Sequence, residues 1–192
     1  VITDAFPTNT SDFSTYLAKA KDQGAEVIFC PVSIAYATQI IKLAASMGLD
    51  IPILGSDTLD SNKVLEAAAG SDVQLYVSTF YQEGGSPEFD DGIKAWLNED
   101  STAMTNNGGN DTIAAVTAMG YDAYYVALEA LKAAGSTDAG AVKAALPGVT
   151  YTGVTGVIAF DDIGDAIRDT AYIKVADTAN SAWALETMQK AG

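Results

Sequence analysis

Three times in the first eighty residues the chain repeats one pattern: a helix-length amphipathic segment, a glycine, and a short apolar run. Phe13, Tyr16, Leu17 and Ala20 lead to Gly24, and Glu26–Pro31 follows. Ile34, Ala37, Ile40, Ile41, Ala44 and Met47 lead to Gly48, and Ile51–Leu54 follows; Val64, Leu65 and Ala68 lead to Gly70 and the run Val73–Phe80. Apolar residues three and four apart line one face of a helix, and a glycine accepts the left-handed backbone that closes it. The runs between are short and continuously apolar, as strands covered on both faces are. Short strands alternating with helices of about a dozen residues pair in parallel through right-handed crossovers. The expected architecture is therefore α/β, a three-layer doubly wound parallel sheet. Val1–Phe6 alternates and reads as an opening strand, with Thr10 or Ser11 capping the first helix.

After Phe80 the pattern changes. Tyr81–Gly85 reads as a polar, flexible linker, and Ser86-Pro87-Glu88 as a helix start with proline in the first turn. The sequence predicts helices from Pro87 to about Asn98, from about Thr112 to Ala134, and from Asp138 to Leu146, with a loose segment over Ser101–Asp111. The long helix carries Ile113, Val116, Met119, Tyr124, Tyr125, Val126, Leu128 and Leu131 around much of its circumference and must be covered. No strand is predicted between Tyr81 and Gly148 to cover it. Strands return at Thr152–Phe160, Ala171–Val175 and Trp183–Leu185, with a turn at Asp161–Asp165 that lacks the ligand spacing of a calcium loop. Three segments result: an α/β segment over 1–80, a helical segment over 81–152, and return strands over 153–192.

The chain has no histidine, which removes Ser-His-Asp and Cys-His catalysis and His-ligated metal from consideration. The net charge of −15 repels phosphate backbones and anionic lipid, so neither nucleic acid nor a membrane surface is an expected partner. The single cysteine, Cys30, ends the run Val27-Ile28-Phe29 and reads as a packed thiol. Phosphate-cradling glycine loops and nucleophile elbows are absent, and no apolar run is long enough to span a bilayer. No cofactor or metal is expected. The opening Val1-Ile2-Thr3-Asp4 does not read as a leader, so an exported protein would be represented here in mature or truncated form.

The stretch Ile51–Ser61 is the candidate site. A buried run stops at Gly55, and Ser56, Asp57, Thr58, Asp60 and Ser61 follow. Ligands of open α/β sheets bind beyond the carboxyl ends of the strands, where this loop lies, so Asp57 is the first candidate. The same residues also suit a helix cap for a helix starting near Asn62.

Several segments in order carry a resemblance: Thr10–Ser14, Gly24–Phe29, Ile40–Ala44 with Met47-Gly48-Leu49, Pro52–Asp57 with Asp60-Ser61, Gly120-Tyr121-Asp122-Ala123, and Gly153-Val154-Thr155-Gly156 with Phe160-Asp161 and Gly164-Asp165. Together they resemble the C-terminal portion of the solute-binding proteins of ABC importers for branched-chain amino acids, which have the type 1 periplasmic binding fold. The resemblance implies two lobes joined by three crossovers, with the N-terminal half of lobe one absent from this chain, and no enzymatic activity. It implies an extracytoplasmic protein, periplasmic or lipid-anchored, that captures a small solute by hinge closure and delivers it to ABC permease subunits. The membrane is then met only through an anchor or the permease. Either the missing N-terminal half or a second copy of the chain would cover the exposed helices.

By the same resemblance Asp57 matches the acidic residue that binds the ligand's ammonium group. Ser33 and Ser56 would offer hydrogen bonds, and Leu59 and Ile34 would line the apolar side. The chain departs from the family's pattern where Val32, Ser33 and Ile34 stand for Gly-Tyr-Tyr, and where Leu59 and Val116 stand for aromatics. A ligand-sensing receptor domain is the alternative of the same fold. An aspartyl phosphatase is disfavoured because Leu59 occupies the place of its second aspartate.

Overall fold

A computed structural model describes residues 1–168 and 170–190. The opening repeats fold as α1 (Ser14–Asp22), β1 (Ile28–Cys30), α2 (Ile34–Ser46), β2 (Ile53–Gly55), α3 (Asn62–Ala68) and β3 (Leu75–Thr79), with a 3-10 turn at Asp57–Leu59 between β2 and α3. β1, β2 and β3 are parallel, and Ile28, Ile53 and Leu75 lie in register across them. Gly24, Gly48 and Gly70 take φ of +68°, +57° and +68°, the left-handed backbone that ends each helix. Ala37, Ile41, Ile53, Val64, Leu75 and Val77 form the center of one core beneath these strands.

Val1–Phe6 forms no strand. Its apolar end is used differently: the Phe6 ring packs edge-on against Phe13 at 4.9 Å and Tyr36 at 5.2 Å. Alternation alone makes no strand where the backbone has no neighbour to pair with.

The region after Phe80 folds as α4 (Pro87–Glu99), α5 (Ser101–Asn106), α6 (Ala115–Ala134), α7 (Ala139–Ala145), β4 (Tyr151–Gly153), β5 (Gly156–Phe160) and β6 (Ala166–Ile167). Three expectations are corrected here. The loose segment contains α5, because Asp100 caps it by accepting from the Thr102 and Ala103 amides at 2.8 and 3.0 Å. The linker is pinned: buried Tyr81 donates its hydroxyl to Asp90 at 2.6 Å, and the other Asp90 oxygen accepts from the Gly84 amide at 2.7 Å. Burial and the Asp90 carboxylate hold the Tyr81 phenol well above its ordinary pKa. Finally, Thr152–Phe160 is a tight antiparallel hairpin of β4 and β5 with Gly153 opposite Gly156.

That hairpin covers part of α6. Val126 and Ala130 pack with Val149 and Ile158, while Ala115 and Ala118 pack with Tyr81, Phe89 and Ile113. Val116 and Tyr124 stay 62% and 61% exposed.

β7 (Thr170–Asp177) and β8 (Ala182–Lys190) complete a five-stranded sheet of order β1-β2-β3-β7-β8. The chain divides into two compact units, one of Val1–Thr79 with Ile173–Thr187, the other of Phe80–Tyr172 with the residues from Met188 on. In this division the chain rejoins the first unit at Ile173, and β5 packs on α6 through Ile158. The chain passes between units after Thr79, Tyr172 and Thr187.

Candidate ligand site at the Asp57 turn

The site lies in the first unit, where β1 and β2 end side by side at Cys30 and Gly55. Each strand runs into a turn that opens the next helix. Ser33 occupies the cap position of α2 with extended backbone, is exposed, and makes no side-chain cap bond. Ile34, the first residue of α2, is also exposed. Ser56 Oγ lies 2.9 Å from Thr58 Oγ1, and that hydroxyl donates to the Val32 carbonyl at 3.4 Å. The two loops therefore meet, and Ser33, Ile34, Ser56 and Asp57 share one end of the sheet. Thr58, which joins them, was not a sequence candidate; its signal was its place two residues after Ser56 in a run of small polar groups.

Asp57 is half-buried, and its carboxylate takes no hydrogen bond or ion pair among the described residues. Capping of α3 falls instead to Ser61, whose hydroxyl accepts from the Lys63 amide at 3.2 Å. The local cap reading thus holds for Ser61 and leaves Asp57 available.

Leu59 does not line this surface. It is 0% exposed, and a Cβ on Gly55 would come within 2.5 Å of Leu59 Cδ1, so Leu59 is packed over the end of β2. In a turn of three residues one side chain faces the core, and here it is the apolar one. Asp60 faces the interior. Its Oδ2 accepts from Thr79 Oγ1 at 3.0 Å and from Lys174 Nζ at 2.9 Å, and the side chains of Asp60 and Lys174 are 1% and 4% exposed. Lys174 and Thr79 escaped sequence reasoning because they lie 114 and 19 positions from Asp60. Buried charge is paired; the only early hint was a lysine inside an apolar strand.

Cys30, at the end of β1, is buried and free, and burial pushes its thiol up to about 11. At neutral pH it is a packed thiol and not a nucleophile.

In the second unit the two glycine-rich segments of the resemblance meet. Asp122 on α6 is 0% exposed and accepts from the Val154 amide at 2.9 Å, the Thr155 amide at 2.8 Å and the Thr155 hydroxyl at 2.6 Å. Arg168 donates to Thr155 Oγ1 at 3.0 Å and lies over the Phe80 ring at 4.8 Å. This network holds the hairpin turn. The acidic turn is likewise self-satisfied: Asp161 Oδ1 accepts from the amides of Ile163 and Asp165 at 3.0 and 2.8 Å.

At the ends of the parallel strands β1 and β2 lie hydroxyls, an exposed isoleucine and a carboxylate without a partner among the described residues, at the end of an α/β sheet where ligands of open sheets bind. The comparisons supply the class. Residues 1–180 match the periplasmic binding protein family model, and the chain belongs to that family. It is similar to the leucine-binding protein LivK of Thermotoga maritima, with 24% identity and a TM-score of 0.75 over 96% of this chain and 50% of that one. LivJ of Streptococcus pneumoniae, solved with isoleucine, gives 23% identity and 0.65 over 97% and 50%. A solute-binding protein of R. palustris, solved with benzoate, gives 16% and 0.72 over 95% and 48%. The chain spans about half the length of these structures, and the fold is that of type 1 periplasmic binding proteins. No curated protein sequence matches significantly. Among the described residues no helix is long and apolar enough to cross a membrane.

Proposed function

We propose that the chain is part of an extracytoplasmic solute-binding protein of an ABC importer, and that the Asp57 turn binds the cationic group of an amino acid. The observation that carries this reading is the half-buried Asp57 carboxylate, without a partner among the described residues, at the carboxyl ends of parallel strands in a chain of this family. A carboxylate in a closing cleft forms a charge-assisted bond with an ammonium group. An aromatic acid such as benzoate brings no such group. Ser33 and Ser56 supply hydrogen bonds, and Ile34 an apolar contact. Closure of two lobes over the solute follows if contacts from both favour the closed form, which the permease then recognises.

The exposed Val116, Tyr121 and Tyr124 on α6 fit burial against the remainder of a longer chain, consistent with the half-length coverage of the matched structures. The test is a thermal-shift screen of the full-length protein against amino acids, their amides and aromatic acids, since a ligand that binds only the native state raises its melting temperature. Stabilisation by leucine or isoleucine but not by benzoate is expected. Stabilisation by aromatic acids alone would refute the amine-binding role of Asp57.

A further inference from the structure

The Asp57 turn is held from beneath at two points. Leu59 is locked over Gly55, and the Asp60 amide donates to the Asp57 carbonyl at 3.1 Å while the Asp60 carboxylate is buried on Lys174 and Thr79. Thr79 is the last residue of the first unit before the chain leaves it, and Lys174 follows the first residue after it returns. One buried carboxylate thus joins the candidate turn to both strands at the points where the chain changes units. A buried ion pair is weak evidence for stability, since apolar residues of similar size often replace one at no cost. Its better-attested use is to fix one arrangement among several, and a site needs its first contact held by a second layer of locked side chains.

We infer that Asp60 and Lys174 are positioning residues for ligand binding, setting the Asp57 carboxylate at its working position relative to the strands that lead to the other unit. The inference rests on the reading of Asp57 as the amine-binding group. The pair touches no ligand itself; its contribution passes through Asp57.

The test is a mutant cycle in the full-length protein with L-leucine as the calorimetric probe. Asp57→Ala is measured in the wild-type background and in the paired background Asp60→Asn/Lys174→Met, which removes both charges and keeps volume. Thermal melting monitors folding. The paired replacement is expected to melt within a few degrees of wild type and to bind L-leucine about tenfold more weakly, the effect of about 1.4 kcal/mol. Asp57→Ala is expected to cost about thirtyfold or more in the wild-type background and less than about threefold in the paired one, because coupled residues are non-additive. Equal losses in both backgrounds would make the pair merely structural and overturn the inference alone. Should the paired variant not fold, Thr79→Val, which removes one bond and keeps the shape, carries the same comparison with the same criterion. A wild-type protein that ignores L-leucine, or an Asp57→Ala variant that binds it normally, overturns the site reading and this inference with it.

Discussion

Gly153 and Asp122 offer a test of the second unit that depends on no ligand. A Cβ at Gly153 would stand 2.2 Å from Asp122 Oδ1, 2.3 Å from its Cγ and 2.5 Å from Oδ2. No van der Waals contact survives at such distances, and Asp122 is fully buried with three hydrogen-bond donors aimed at it. Gly153→Ala therefore expels the carboxylate and breaks the bonds from Val154 and Thr155. Hydrogen bonds to a charged group are each worth about 1.5–3 kcal/mol. Three would sum to more than is lost, because the donors are only partly buried and water can reach them once the turn loosens. The expected cost is about 3–5 kcal/mol, the range for removing one partner of a buried charged network. For the 192-residue chain unfolding as one cooperative whole, that lowers the melting temperature by about 6–20 °C, at about 2–4 °C per kcal/mol. Asp122→Ala should cost a similar amount by deleting the acceptor. The double variant is the decisive measurement: with no carboxylate left to strike, the alanine methyl adds little, and the pair should be no worse than Asp122→Ala alone by thermal or urea unfolding. Fully additive losses, or a Gly153→Ala variant that melts within about 2 °C of wild type, would refute the close-approach argument.

Asp57→Ala should weaken amino-acid binding by about 2–5 kcal/mol in calorimetry with little change in melting temperature, and an unchanged affinity would remove the residue from the site. Gly55→Ala should destabilise the first unit by about 1–3 kcal/mol, because the new Cβ meets Leu59 Cδ1 at 2.5 Å and the buried leucine has nowhere to go. An unfolding midpoint like that of wild type would count against it. The Cys30 thiol keeps its proton to about pH 11 in the folded protein, against an ordinary value of 9.0. The unfolded chain binds fewer protons between these pH values, so this contribution is intact below about 9 and is lost as pH rises to about 11, some 2–3 kcal/mol in all. Comparing urea unfolding of wild type and Cys30→Ala across that interval isolates it, and parallel pH profiles would refute it.

The repeats of helix, glycine and apolar run by themselves determined the parallel strands β1 to β3, the helices between them and the helix ends at Gly24, Gly48 and Gly70. Such features arise from periodicity and backbone conformation within about two dozen residues. The loop after β2 was legible as a candidate site for the same reason, since a strand end followed by small polar residues is a local pattern. Which residue of that loop faces outward was not. Leu59 reads as surface-lining, and the buried ion pair of Asp60 is invisible, until Gly55, Thr79 and Lys174 are brought beside them. Thr152–Phe160 reads as one strand until Asp122, some thirty positions earlier, gathers the amides of Val154 and Thr155 into a turn. Only the tertiary structure decided these roles, because a buried charge takes its partner wherever the fold brings one, and sequence spacing does not record that distance.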